Sequence, residues 1–432
     1  MKNINVGLIG FGTVGSGVIK ILQDRKKFLK DKTGAEIIIK KICDKNITAK
    51  RPVTVEKSLL TTDVRQILDD PQIDIVVELI GGIKPAGDFL RQALLKGKHV
   101  VTANKALLAE EGQELFKLAR ERGRSIYFEA SVGAGIPVIK AVREGLVANK
   151  FQGVFGIVNG TSNYVLSEMS HKECSFQAAL QDAKKKGFAE ADPSLDIDGI
   201  DSAHKLILLT YLCFGKFVAL KDIFVEGISR ISLMDMNYAK QMGWQIKLLA
   251  IAKKSDGELE VRVHPTLIPV DHPLASITGI NNAIYVHSDL AGSLLFYGPG
   301  AGWLSAASAV VSDIVDLTKD IRAGLFKPTL NIIEDNSIKG LLKIDEIESR
   351  YYIRFMTEDK PGVLAAVSGI LGKFGISIAS VNQKERKKAG VVPIVMVLHE
   401  AKEKNIRMAL ERINRFPTIK DKAVAIRIEE AF

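Results

Sequence analysis

Short apolar runs alternate with amphipathic stretches through about the first 130 residues, the pattern of βαβ units around a parallel sheet. Asn3 to Ile9, Glu36 to Cys43, Ile73 to Leu79, His99 to Thr102 and Ser125 to Phe128 predict strands. Asp88 to Lys96 and Leu107 to Arg122 carry apolar residues at helical spacing with charged outer faces. The fold class expected here is α/β, doubly wound. From about Val132 the pattern turns mixed: a glycine-rich turn, a helix near Ile136 to Val147, and strand-like Phe151 to Val158, Ile223 to Ile228, Glu258 to Pro265 and Asn282 to His287. Those strands lack regular intervening helices, which predicts an α+β part with a largely antiparallel or mixed sheet. Gly298 to Gly302 then opens a small-residue helix reaching about Leu317, of a kind that packs closely on something flat.

Residues 323 to 348 read as a connection, with Pro328, Asn331, Asp335 and Asn336 as turn formers. Beyond them the pattern is βαββαβ: strand Tyr351 to Met356, helix Pro361 to Phe374, strands Ile376 to Gln383 and Val391 to His399, helix Glu403 to Arg415, strand Ala423 to Glu429. No internal repeat is evident. With 432 residues, two or three domains are expected. The boundaries fall at 1–133 (rejoined by about 300–320), 134–300, a linker at 321–349, and 350–432.

Composition narrows the function. Hydrophobic residues make up 47% and charged residues 25%, and no apolar run approaches the roughly 20 residues of a membrane span. Met1 to Ile9 enters a strand without a signal or transit pattern, so a cytoplasmic protein without membrane partners is expected. Cys43, Cys174 and Cys213 have neither metal-site nor disulfide spacing. The net charge of +10 is scattered among acids, as in Lys402-Glu403-Lys404, rather than gathered in a basic arm, so nucleic acid is not an expected partner. Anionic small molecules suit this balance better.

Gly10-Phe11-Gly12-Thr13-Val14-Gly15 follows the first strand and opens a helix. Glycines there permit a tight turn and let backbone amides approach a pyrophosphate, the Rossmann arrangement for a dinucleotide. Asp44, ending the second strand, suits the ribose hydroxyls of NAD; Lys40, Lys41, Lys45 and Arg51 suit the 2′-phosphate of NADP. Both cofactors stay open. Farther on, Glu190, Asp192, Asp196, Asp198 and Asp201 crowd ahead of a Leu/Ile-rich helix. Asp201 and Lys205, four apart, share a helix face, so the carboxylate can orient the ammonium and keep it charged. Spacing alone equally fits a surface ion pair with acids favouring a helix N-terminus. His204, about 100° around the helix from Lys205, and His99, before a buried strand, read as structural.

Five segments resemble homoserine dehydrogenase in order and spacing: the glycine fingerprint, Thr102-Ala103-Asn104-Lys105-Ala106, Glu129-Ala130-Ser131-Val132-Gly133-Ala134-Gly135-Ile136-Pro137, Asn159-Gly160-Thr161-Ser162-Asn163-Tyr164, and Gly187 to Lys205. The resemblance spans roughly residues 1 to 320. It implies reversible NAD- or NADP-dependent reduction of L-aspartate 4-semialdehyde to L-homoserine, on the route to threonine and methionine. It implies Lys205 as catalytic acid/base, Lys105 between nicotinamide and substrate, and Glu190, Asp196 and Asp201 on the substrate. Gly10, Phe11, Gly12, Thr13, Val14, Gly15, Asp44, Thr102, Lys105, Gly187 and Gly302 would surround the cofactor. A monovalent cation, sodium, is implied on a Glu129 oxygen and the carbonyls of Val132, Ala134 and Ile136; the residues alone read as a glycine-rich strand-to-helix turn. Asn159 to Tyr164 alone reads as a polar turn entering a helix capped by Thr161, Ser162 or Asn163. The chemistry agrees, since an aldehyde receiving hydride needs a proton for its developing alkoxide and an ammonium can give one.

Residues 350 to 432 resemble an ACT domain, through Asp359-Lys360-Pro361-Gly362-Val363-Leu364 and Gly375-Ile376-Ser377-Ile378. That implies paired sheets binding an amino acid near the first loop, threonine as feedback inhibitor, with Asp359 and Asn382 as contacts; a dimerisation module without ligand is the alternative. A homodimer or homotetramer is expected, and a monofunctional enzyme, because nothing precedes the first strand. Two rivals differ chemically. An aspartate-semialdehyde dehydrogenase needs an activated thiolate, for which the three cysteines lack a setting. A nucleotide and amino-acid sensor would not need Lys105 together with Glu190, Asp201 and Lys205.

Overall fold

Strands β1 (Ile4–Ile9), β2 (Ile37–Cys43), β3 (Leu60–Thr61), β4 (Ile75–Glu78), β5 (His99–Thr102) and β6 (Ile126–Tyr127) form a parallel sheet in the order β3-β2-β1-β4-β5-β6. The structure, a computed structural model, describes residues 3–325, 332, 334–383 and 390–430. Pro328 and Asn331, expected turn formers, lie outside them. The crossovers carry helices α1 (Thr13–Asp24), α2 (Lys26–Thr33), α3 (Arg65–Leu68), α4 (Ala86–Leu95) and α5 (Lys105–Glu121). Strand β4 is buried along its whole length and β1 nearly so, which is why they read as near-continuous apolar runs. Strand order reverses between β1 and β4, leaving a crevice at their C-terminal ends. Register aligns Ile9 with Glu78 and Glu78 with Thr102, so Gly10, Glu78 and Thr102 share that edge.

The second part begins with α6 (Val138–Lys140) and β7 (Phe151–Ile157), then α7 (Gly160–Lys172), α8 (Phe176–Lys185), α9 (Ser194–Ile197), α10 (Ile200–Phe214), β8 (Phe224–Val225) and α11 (Leu233–Gln241). It continues through β9 (Trp244–Ser255), β10 (Glu258–Pro269), β11 (Asn281–Ser288), β12 (Gly292–Pro299) and α12 (Trp303–Arg322). The expected helix from Ile136 to Val147 shrinks to α6 and one π-turn, Ala141–Gly145, in which the Leu146 amide bonds the Ala141 carbonyl. The expected strand Ile223 to Ile228 shrinks to β8. A Cβ on Gly227 would lie 2.4 Å from the Ile197 carbonyl oxygen, and the Ile228 amide bonds that same oxygen at 2.9 Å, so the chain turns under α9. Strands β9 and β12 were not anticipated. Helix α12 returns to the first part, and its main partner is α1 rather than a flat surface: a Cβ on Gly17 would stand 2.8 Å from Ala307 Cβ and 3.0 Å from the Trp303 carbonyl oxygen.

The last part, β13 (Glu348–Glu358), α13 (Val363–Lys373), β14 (Ile378–Gln383), β15 (Val391–Lys402), α14 (Glu403–Ile413) and β16 (Ile419–Ile428), has the expected βαββαβ order. It does not stand apart. One mixed sheet runs β12-β11-β7-β9-β10-β16-β13-β15-β14, with β8 beside β10. At its seam β16 pairs in parallel with β10 through Thr266 with Arg427 and Leu267 with Ile428.

Buried charge reinforces the seam. Arg262, 1% exposed, bonds Glu260 within the second part and Glu429 beyond β16, while Lys253 reaches Glu429 at 2.8 Å. Asp235 on α11, wholly buried, accepts from Arg354 Nε at 2.7 Å and the Tyr352 hydroxyl at 3.0 Å, both on β13. Arg427 donates to Glu403 at 2.6 Å and to Glu226 at 3.0 Å. No helix of the described residues is long and apolar enough to cross a membrane.

Candidate active site

Asp201 lies in the first turn of α10 and Lys205 one turn on, while Lys105 opens α5, whose N-terminus is capped by the Asn104 side chain accepting from the Leu107 amide. The three meet. Lys205 Nζ donates to Asp201 Oδ2 at 2.6 Å and to the Val158 carbonyl at 2.5 Å; Lys105 Nζ stands 3.2 Å from Asp201 Oδ1. Asp201 and Lys205 are each 9% exposed, so this is not a solvated surface pair. Burial works against the Asp201 carboxylate, but Lys205 and Lys105 outweigh it and hold the acid well below the usual carboxylate range. For Lys205 burial wins: its pKa is lowered, although Asp201 pulls it upward. Asp201 thus orients the ammonium, as its spacing predicts, and favours its charge against the desolvation that opposes it.

Asp196, on α9, joins through Asn159, whose Nδ2 donates to Asp196 Oδ1 at 2.7 Å and Asp201 Oδ2 at 2.9 Å. Asn159 is also the cap of α7, its Oδ1 accepting from the Ser162 amide at 2.8 Å. Thr161, Ser162 and Asn163, expected as caps, are spent elsewhere: Thr161 bonds the Phe188 carbonyl, Ser162 the Asp196 carbonyl, and Asn163 the carbonyls of Gly279 and Asn281. The Thr161 bond ties the Gly187 to Glu190 segment to the start of α7, with Gly187 at φ +74° and Glu190 exposed, outside the direct ion cluster.

At the crevice Gly10 has φ +105°, and a Cβ on Gly15 would fall 2.1 Å from the Gly10 carbonyl oxygen, so the turn from β1 into α1 closes only with glycines. Thr13 and Val14 form the first turn of α1 behind it, and nothing lies within 4 Å of a Cβ on Gly12. The Phe11 amide donates to Asp44 Oδ2 at 2.7 Å, and Arg51 pairs with Asp44 at 3.5 Å while its guanidinium lies 5.3 Å from the Phe11 ring centre. Lys41 is turned to the Ser58 carbonyl. Gly302 precedes α12 at φ +129°.

Sequence reasoning passed over Glu78 here. Wholly buried, it accepts from the Ile80 and Gly81 amides at 2.8 and 3.2 Å and from the Thr102 hydroxyl at 2.6 Å, tying β4's exit to the loop before Lys105. An acid ending an otherwise apolar strand, followed by Gly81-Gly82, is the signal that marked it.

Glu129 is buried, and its two oxygens accept from the Ile139 and Lys140 amides at 2.9 and 2.8 Å; burial pushes its carboxyl up to about 7. Its own amide donates to Asp313 on α12. The loop between, through Val132 and Ile136, has Ala134 at φ +51°. His99 is pushed by burial down to about 4 and accepts from the Ser125 amide, and burial pushes the Cys43 thiol up to about 11 and Cys213 higher still. Asn382 pairs with Val395, which pairs with Arg354. It therefore sits about 16 Å along the strands from Asp359, and the two do not gather at one loop within the chain.

Comparison with known proteins follows the same lines. The chain matches family models described as homoserine dehydrogenase over residues 137–315, homoserine dehydrogenase NAD binding domain over 10–129, and ACT domain over 351–416. It is 41% identical to the homoserine dehydrogenase of Pseudomonas aeruginosa, with 100% of each chain covered. A solved homoserine dehydrogenase from Thiobacillus denitrificans superposes with TM-score 0.91 at 41% identity, over 100% of this chain and 99% of that one. A hyperthermophilic archaeal homoserine dehydrogenase solved with NADPH gives TM-score 0.64 at 26% identity, over 76% of this chain and 100% of that one.

Proposed function

The chain belongs to the homoserine dehydrogenase family of NAD(P)-dependent oxidoreductases, and on that premise we propose how its residues carry the reversible reduction of L-aspartate 4-semialdehyde to L-homoserine in threonine and methionine biosynthesis. The observation that carries the reading is the buried pair of Asp201 and Lys205 at 2.6 Å, joined by the part-exposed Lys105 at 3.2 Å. A nicotinamide cofactor supplies the hydride when bound. The Lys205 ammonium gives the proton that the new alkoxide requires, and Lys105 draws charge from the carbonyl oxygen. In the reverse direction the neutral Lys205 amine takes the hydroxyl proton. Asp201 anchors both lysines, and Asp196 and Glu190 receive the substrate's α-ammonium.

The turn from Gly10 to Gly15, with Thr102, Gly187 and Gly302, cradles the dinucleotide. Asp44 is already shared by the Phe11 amide and Arg51, and Arg51, steadied also by the Phe11 and Asn46 carbonyls, sets a cation beside that acid, which favours NADP. Arg51→Ala should lower kcat/KM for NADP at least tenfold more than for NAD, measured side by side. Glu129 suits a sodium ion: it is a buried acid whose oxygens each keep a lone pair after their backbone bonds, and the loop that follows it carries the carbonyls of Val132, Ala134 and Ile136. The ion would offset the charge of Glu129 and fix this loop.

The C-terminal module binds threonine as a feedback inhibitor, acting through a difference in affinity between active and inactive states. Leu295 and Tyr297, exposed on one face of β12, suit a homodimer or homotetramer in the cytoplasm. The deciding experiment follows nicotinamide reduction by purified protein with homoserine and NAD or NADP, wild type beside Lys205→Ala. Turnover lost in a folded variant supports the reading. No turnover by folded wild type with either cofactor rejects it.

A further inference from the structure

Asn159 does three things with one carboxamide. Its Oδ1 caps α7, and each N–H of its Nδ2 serves a different carboxylate, Asp196 at 2.7 Å and Asp201 at 2.9 Å. It is 5% exposed, so these bonds form away from water, where two neighbouring carboxylates repel strongly. A neutral group that offers two donors and one acceptor is needed, and among short side chains only asparagine has them.

The two acids it joins are differently employed. Asp201 spends its oxygens on Lys205 and Lys105. Asp196 sits on the four-residue α9, too short to fix a side chain by itself, and is steadied by Ser162 Oγ donating to its carbonyl at 2.8 Å.

We infer that Asn159 is a positioning residue for substrate selection: it holds Asp196 against Asp201, so that a second carboxylate meets an amino-acid substrate at its α-ammonium while the first stays committed to the lysines. This rests on the proposed homoserine reading. It goes further in making recognition of the amino group depend on an amide that need not touch the substrate.

The test separates cap from bridge. Serine caps a helix about as well as asparagine but is too short to reach both acids, and aspartate caps equally well while adding a third negative charge. For Asn159→Ser, with a thermal transition near wild type, KM for homoserine should rise at least tenfold and by more than kcat falls, with KM for the dinucleotide unchanged. The preference for homoserine over 4-hydroxybutanoate, which lacks the amino group, should fall by a similar factor. Asn159→Asp should lose the same preference, keeping the result readable if the serine variant folds poorly. Folded variants that retain wild-type KM and preference overturn the proposal, as does a loss shared equally with dinucleotide KM, which would make Asn159 only a cap. Wild type that turns over neither compound removes the homoserine reading itself, an outcome visible before any variant is made.

Discussion

At Lys205 two forces oppose each other in one nitrogen. Burial and Lys105 disfavour its charge, Asp201 and Asp196 favour it, and the balance lies below the ordinary value of 10.5. Homoserine oxidation needs the neutral amine, so kcat/KM should climb with pH and level off before that value, while semialdehyde reduction, which needs the ammonium, should decline across the same window. A pH profile in both directions checks this; the absence of any ionisation below 10.5 that acts in opposite senses on the two directions rejects Lys205 as the proton carrier. Asp201→Asn removes the favourable charge and should shift the limb downward. The i,i+4 spacing of Asp201 and Lys205 is legible in the sequence because a helix turns local spacing into contact. The third and fourth members are not, because Lys105 and Asn159 arrive by tertiary folding, and a polar turn is a sufficient local explanation for the segment that Asn159 opens.

Between elements, the strongest joints are buried ions. Asp235 caps α11 through Ser232, with reciprocal bonds, and also takes Arg354 and Tyr352 from β13. Removing one partner strands the other without water, so Asp235→Ala should cost about 3–5 kcal/mol. A chemical denaturation midpoint would show it, and a change under about 1 kcal/mol would mean that β13 carries no weight on α11. The doubly wound part was readable as elements, the two-residue β3 apart, because its strands are short apolar runs and its helices keep a charged face. Strand β9 was not: Ile246 to Ala252 are buried on both faces, so the period of two that marks a strand disappears, and Lys247 inside it mimics a surface residue. Strand β12 does alternate, but its glycines read as a turn.

Across the whole molecule, one chain of contacts joins the C-terminal ACT module to Asp196. Arg427 on β16 grips Glu226; the next residue, Gly227, lies tight under Ile197 at the end of α9, where Asp196 is carried. On the proposed threonine reading, Glu226→Gln should keep basal turnover and threonine binding by calorimetry, yet raise the threonine concentration for half-inhibition at least fivefold. An unchanged inhibition curve would route the coupling elsewhere. The module's order was legible from its alternating strands and helices, but its fusion into the catalytic sheet was not, since two parallel residue pairs leave no trace in a hydropathy pattern. That seam also limits modularity. Lys253, Glu260 and Arg262 are catalytic-side residues whose charge balance is completed by Glu429, so swapping C-terminal modules between relatives requires transplanting these three positions as well. The exchangeable unit is bounded by buried charge, not by the order of domains along the chain.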